Sequence, residues 1–114
     1  DVWNAWFLLG WAYRRKKMYK EGAEAFKKAL KLGSDQIDLF NELAICLMEL
    51  GKLVESREYL LKALKIEPEN IKILSNLGIV SMKEENTSAA REYFKSVLTL
   101  NPDDKIAADY LTRL

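Results

Sequence analysis

Catalysis needs groups that exchange protons, attack carbon or hold metals, and this chain has few of them. It has no histidine, which removes the usual acid–base group at neutral pH and the commonest metal ligand. Its one cysteine, Cys46, has no partner for an internal disulfide and cannot alone make a structural zinc site. Ser–His and Cys–His nucleophile pairs are ruled out with the histidine. Carboxylates adjoin at Glu84–Glu85 and Asp103–Asp104. One pair falls in an expected turn and the other in an expected linker, where solvation or helix capping accounts for them. The glycines stand singly at 10, 22, 33, 51 and 78, so no Gly-rich phosphate cradle is present. The expectation is a non-enzyme without metal or cofactor. The remaining chemistry is non-covalent. Arg14, Arg15, Lys16, Lys17 and Lys20 concentrate positive charge, and they read either as a solvated turn or as an edge attracting an acidic partner.

The balance of the chain fits such a role. Its 114 residues include 18 basic and 17 acidic side chains, a net of +1, with 49% apolar and 31% charged residues. That is the composition of a soluble, folded protein of one domain, residues 1–114. The longest apolar run, Ala5 to Tyr13, is about half the roughly 18 residues a membrane span needs. An acidic residue precedes it and no small-residue cleavage site follows, so it is not a signal peptide. Membrane insertion is not expected. The chain opens on Asp rather than Met and is read as an excised or processed piece. Nothing in the cysteine usage speaks for an oxidising compartment, so a cytoplasmic location is expected. A near-zero net charge and the lack of a recognised motif argue against a nucleic-acid partner.

An internal repeat organises the whole chain. Three segments align without gaps at a step of 34 residues, framed as 3–36, 37–70 and 71–104, leaving residues 105–114 as the start of a further helix. Each unit reads as two helices. In the first halves, apolar or small residues recur at three- and four-residue spacing: Trp6, Leu9, Gly10 and Tyr13, then Phe40, Leu43, Ala44 and Leu47, then Leu74, Leu77 and Gly78. The second halves repeat the stripe, as in Ala25, Phe26, Ala29 and Leu30. Such stripes are one face of an α-helix. Gly51 suits a left-handed helix end, and Thr87 or Asn86 a helix start. Pro68 and Pro102 lie just past helix ends. Asn70, Asp104 and Asp35 are placed to cap the helices that follow. No strand pattern persists.

These units resemble the tetratricopeptide repeat, a 34-residue helix–turn–helix with eight preferred positions. Unit one carries Trp6, Leu9, Gly10, Tyr13, Phe26 and Ala29; unit two Leu43, Ala63 and Pro68; unit three Leu77, Gly78, Ala90, Phe94 and Pro102. Gly22 and Ser34 depart from the pattern in unit one. Small residues, Gly10 with Gly22, Ala44 with Ser56 and Gly78 with Ala90, fall where the two helices of a unit cross. Ser81 is the smallest of the residues at its place in the repeat, and looser packing is expected there. The resemblance implies an all-α, right-handed solenoid of three helix–turn–helix repeats plus a C-terminal helix, with Ala108 and Leu111 on its inner stripe. Trp3 stands where an upstream repeat would normally cover it.

The resemblance also implies a concave groove lined by the first helix of each unit. Unit one would contribute Asn4, Phe7, Leu8, Trp11, Arg14 and Arg15. Unit two would add Asp38, Asn41, Glu42, Ile45, Met48 and Glu49, and unit three Lys72, Ser75, Asn76, Ile79, Met82 and Lys83. Trp11, Ile45 with Met48, and Ile79 with Met82 form an apolar ladder flanked by charge, suited to an amphipathic helix or extended peptide. The residues expected to meet a partner are Phe7, Trp11, Arg14, Arg15, Asn41, Ile45, Met48, Lys72, Asn76, Ile79, Met82 and Lys83. A second reading has the apolar ladder covering a neighbouring chain or further repeats.

Some family members clamp the C-terminal carboxylates of large cytosolic chaperones. At the five clamp positions this chain offers Phe7, Trp11, Glu42, Lys72 and Asn76, of which only Lys72 matches, and Glu42 sets a negative charge where an anion would bind. The chaperone clamp is therefore not expected. The expected function is a non-catalytic protein–protein interaction scaffold that takes a protein or peptide in the groove. Two alternatives stay open. One is a structural or oligomerisation segment of a longer repeat protein, self-associating through exposed terminal faces. The other is a targeting or regulatory domain of a larger enzyme.

Overall fold

Apolar residues three and four apart, with only two prolines in the chain, leave little but helix to form. The computed structural model describes residues 2–33 and 36–114. It contains α1 (Val2–Arg15), α2 (Tyr19–Lys31), α3 (Ile37–Glu49), α4 (Leu53–Ile66), α5 (Ile71–Lys83), α6 (Thr87–Leu100) and α7 (Lys105–Arg113), with no strand among the described residues. The helices pair as hairpins α1–α2, α3–α4 and α5–α6, each stacked on the next, and α7 lies on α6. The result is an all-α repeat solenoid, 42 × 25 × 21 Å.

Local signals set the helix ends. The side chains of Asn70, Asn86 and Asp104 accept from the backbone N–H groups of Ile73, Ala89 and Ala107 at 3.0, 3.1 and 2.9 Å, satisfying donors that a helix start leaves open. The expected cap Asp35 lies outside the described residues. Inside each hairpin, one turn geometry recurs at the 34-residue step. Lys17, Gly51 and Glu85 hold φ of 62°, 78° and 61°. The next residue's N–H then reaches back to Tyr13, Leu47 and Ser81 carbonyls at 2.9, 2.9 and 2.8 Å. Gly51 occupies this left-handed region without strain, whereas Lys17 and Glu85 do so against their Cβ atoms.

Within a hairpin, close approach is set by what stands at the helix crossing. A Cβ on Gly10 would lie 2.7 Å from the Phe26 ring, and one on Gly78 would lie 2.6 Å from the Phe94 ring. The sequence pattern points to Ala90 as the neighbour of Gly78, but Phe94 is met first. In the middle hairpin the glycine is Ala44 and the ring is Leu60, both fully buried. There the hydroxyl of Ser56 donates to the Ala44 carbonyl at 2.8 Å. The pairs Gly10–Phe26, Ala44–Leu60 and Gly78–Phe94 thus exchange volume: a methyl appears where the ring is absent.

Between hairpins, each first helix packs on the second helix before it. Leu39, Leu43 and Cys46 of α3 meet Ala23, Phe26 and Ala29 of α2. Ile73, Leu77 and Val80 of α5 join Leu60 and Ala63 of α4. At the far end, Ala107 of α7 joins the cluster of Phe94 and Val97, and Tyr110 stacks on Phe94 with ring centroids 4.7 Å apart. Leu111 packs there too, while Ala108, expected on the inner stripe, is exposed. Burying each large side chain contributes roughly 1.5–3 kcal/mol.

Hairpin one departs from the expected core. Leu9 is 41% exposed, whereas its repeat mates Leu43 and Leu77 are fully buried. That position faces a preceding hairpin, and α1 is the first helix of the structure. Trp3, expected to need an upstream cover, instead meets Phe7 edge-on, with centroids 6.3 Å apart. Ser81, where looser packing is expected, is buried and borders a surface cleft of about 390 Å³ beside Arg57, Leu61 and Tyr93.

The Gly78–Phe94 contact gives a direct test. Gly78→Ala should lose about 1–3 kcal/mol by overpacking, although alanine in a helix would otherwise gain up to about 1 kcal/mol. Adding Phe94→Leu should recover part of that loss. Urea unfolding of the single and double variants measures it, and strictly additive losses would refute the volume exchange.

Candidate functional site

Three first helices, α1, α3 and α5, present one side to a shared hollow. Because each begins 34 or so residues after the last, side chains at equal places in the repeat line up across it. The hollow is a cavity of about 530 Å³. Its apolar wall is Phe7, Trp11 and Ile45. Phe7 is anchored from behind by the Phe26 ring, with centroids 5.7 Å apart, and Trp11 is 40% exposed. A polar wall of Asp38, Asn41, Lys72 and Asn76 faces it, and Arg14 with Glu42 completes the lining.

The polar groups are not all free. Arg14 Nε donates to Glu42 Oε1 at 3.0 Å across the first and second hairpins. Glu42 was expected to repel an anion; its charge is matched by a guanidinium instead. Asn76 Nδ2 donates to Asn41 Oδ1 at 2.7 Å across the second and third hairpins. These two links fix the spacing of α1, α3 and α5 at the hollow. The cations of unit one also reach unit two behind the groove, where Lys27 pairs with Glu55 at 2.9 Å. Arg57 ties α4 to Glu84 at 3.1 Å. Lys27–Glu55 is half-exposed and adds little stability, while Arg57–Glu84 is part-buried, its Nε donating to both carboxylate oxygens.

Seven of the residues expected to meet a partner line this cavity: Phe7, Trp11, Arg14, Asn41, Ile45, Lys72 and Asn76. The other five do not. Met48 is only 7% exposed and lies in the core cluster with Ile73, Leu77 and Val80, so its place in the groove is corrected. Its position in the repeat turns toward the following first helix, as Arg14 also does to reach Glu42. Ile79 and Met82 pack partly against the core, and Lys83 is exposed at the end of α5. Arg15 sits at the rim, its guanidinium 4.8 Å from the centre of the Trp11 ring. The two interhelical links were legible only as pairs about one repeat apart, a spacing that single-residue reading passes over.

The one nucleophile is walled off. Cys46 is fully buried, and a Cβ on Gly22 of α2 would come within 3.2 Å of its Sγ. Burial pushes the thiol pKa up from 9.0 to about 12, with Glu42 and Glu49 adding to the rise and Arg14 opposing it. The folded state therefore holds this proton more tightly than the unfolded chain. The resulting stability is full below pH 9 and is lost as pH climbs toward 12. Among the described residues, no group of three or more acidic or cysteine side chains could hold a metal ion, and no helix is long and apolar enough to cross a membrane.

The family model for the cytochrome c-type biogenesis protein H TPR domain matches residues 1–107. A curated relative, Protein POLLENLESS 3-LIKE 2 of Arabidopsis thaliana, is 36% identical over 52 residues, covering 46% of this chain and 12% of that protein. The Arabidopsis OM64 TPR domain superposes with a TM-score of 0.92 at 20% identity, covering 98% of this chain and 93% of that one. The first TPR of Spaghetti (RPAP3), bound to the HSP90 peptide SRMEEVD, superposes with a TM-score of 0.91 at 18% identity, over 97% and 88% of the two chains. At these identities the two structures speak for the fold alone.

The thiol supplies a test of the packing. Native protein at pH 8 should react with a disulfide reagent at least ~10²-fold more slowly than protein in denaturant. Equal rates would show Cys46 to be open.

Proposed function

The chain belongs to the tetratricopeptide-repeat family, within the group of cytochrome c-type biogenesis protein H TPR domains, and from that premise we infer that it is a non-catalytic scaffold for protein–protein interaction. It holds a peptide or an amphipathic helix against Phe7, Trp11, Arg14, Asn41, Ile45, Lys72 and Asn76. The observation that carries this reading is the half-exposed Trp11 beside Phe7 and Ile45 in a cavity of about 530 Å³. An apolar wall facing a few polar groups is the usual make-up of a recognition site, and a tryptophan at its centre is the usual energetic anchor.

The repeat frame 3–36, 37–70 and 71–104, closed by 105–114 as one domain, is part of the same reading. So are a cytoplasmic location, which cell fractionation checks, and a partner that is not nucleic acid. The matched first TPR of Spaghetti (RPAP3) is bound to an HSP90 peptide, which supports peptide binding by a fold of this kind. It does not supply this chain's ligand, because only Lys72 matches the clamp pattern.

One observation favours a second reading. Leu9 is exposed where Leu43 and Leu77 are buried, and it lines a shallow depression with Trp6, Tyr13 and Ala25. That face suits self-association or continuation of the stack. Sedimentation at rising protein concentration discriminates: a monomer throughout would discount self-association.

Trp11→Ala should weaken capture of partners selected by the wild-type protein by roughly tenfold or more, with the thermal midpoint moved by only a few degrees. A collapse of the midpoint would make Trp11 a core residue and remove the groove reading.

A further inference from the structure

The turn between α1 and α2 carries more charge than folding asks of it. Arg14 and Arg15 end α1, where cations complement the negative end of the helix dipole. Arg14 is further accounted for by Glu42. Lys16, whose N–H reaches the Ala12 carbonyl at 3.3 Å, closes that same last turn, but Lys17 and Lys20 are not explained this way. Lys20 stands in the first turn of α2, the positive end of a dipole, where a cation is unfavourable. Lys17 holds its side chain on a left-handed backbone at φ 62°, a place glycine fills in the second hairpin. All three lysines are exposed, and none joins an ion pair among the described residues. The equivalent turns of the other hairpins mix signs, with Glu49 and Lys52 in one and Lys83, Glu84 and Glu85 in the next.

Arg15 connects this cluster to the groove. Its guanidinium lies on the Trp11 ring at 4.8 Å, and it too lacks an ion pair among the described residues. Stacking on an aromatic face holds the planar fork in place while its N–H edge stays open to a carboxylate. The same indole forms part of the apolar wall with Phe7 and Ile45. An apolar subsite and a carboxylate subsite therefore share one residue, and three unpaired lysines extend the positive field beyond them.

We propose that the ligand of this groove is a protein segment in which an apolar side chain, seated against Phe7, Trp11 and Ile45, adjoins a run of acidic residues received by Arg15, Lys16, Lys17 and Lys20. This rests on the groove reading and deepens it. The chaperone clamp uses other positions, four of which are unmatched here; the cations named now lie at the helix end and turn.

The test is selection from a displayed random dodecapeptide library, run in parallel on three proteins. These are the wild type, a variant combining Lys16→Glu, Lys17→Glu and Lys20→Glu, and Trp11→Ala. The three lysines are exposed, and matching circular dichroism melts establish that the fold is kept. The wild type should enrich peptides that are both acidic and apolar. The charge-reversed variant should bind those peptides at least tenfold more weakly at low salt, and the difference should shrink in 0.5 M NaCl. Arg15→Gln should lower affinity for the acidic peptides by a larger factor than for an uncharged apolar peptide, and an equal loss for both would remove Arg15 from the carboxylate subsite. If wild type and charge-reversed protein enrich peptides of the same charge, while Trp11→Ala loses them, the groove stands and the acidic ligand is overturned. If no protein enriches any peptide, but the wild type and not the charge-reversed variant sediments with phosphatidylserine vesicles, the cations serve a membrane surface and both readings fall. Enrichment of nothing, with no vesicle binding, also overturns both.

Discussion

One contact limits everything else in this fold: the face of an aromatic ring laid on a glycine where two helices cross. Gly10 under Phe26 and Gly78 under Phe94 leave no room for even a methyl group. The middle hairpin obeys the same limit with other residues, Ala44 against Leu60. The depth at which α1 and α2, or α5 and α6, sink into one another follows from that limit. So does the angle at which the next hairpin finds its seat, because Phe26 and Phe94 also belong to the clusters that receive α3 and α7. A side chain that closes one hairpin thus becomes the floor of the next, and the packing is transmitted along the chain as a sequence of neighbour terms.

The groove inherits its shape from that stacking and its stiffness from two polar links. Arg14–Glu42 and Asn41–Asn76 each bridge successive first helices. Both use residues that would otherwise be free to meet a ligand. What they give up in direct contact they return as a wall whose spacing is set before anything binds, and a preformed surface loses less freedom on binding than a mobile one. The same two links leave Lys72, Asp38 and the Trp11–Arg15 stack as the groups not already committed to holding the solenoid together.

Much of this was legible in the sequence because the repeat is a packing rule written three times. The period located all seven helices of the described residues. The small residues marked the crossings, and Asn70, Asn86 and Asp104 cap as their residue types imply. The losses have physical reasons. Leu9 matches Leu43 and Leu77 in type, but burial belongs to a neighbour and not to a residue, so the first helix stays open. Met48 looked like a flexible lining residue; its place in the repeat points at the next helix, which covers it. The left-handed backbone at Lys17 and Glu85 was hidden because their residue types disfavour it, and only the glycine between them, Gly51, signals the turn. Arg14 and Glu42 both line the hollow, and their pairing changes the sign of the conclusion drawn from Glu42 alone.

The helix that carries Phe7, Trp11, Arg14 and Arg15 buries just one residue, Gly10, and leans mostly on α2, with the Arg14–Glu42 link its tie to α3. Like α7, which also buries a single residue, Ala107, it stands at an end of the described stack, where local opening costs least. A guest lying against Phe7, Ile45 and Lys72 would touch α1, α3 and α5 at once, adding a third tie to the two polar links between them.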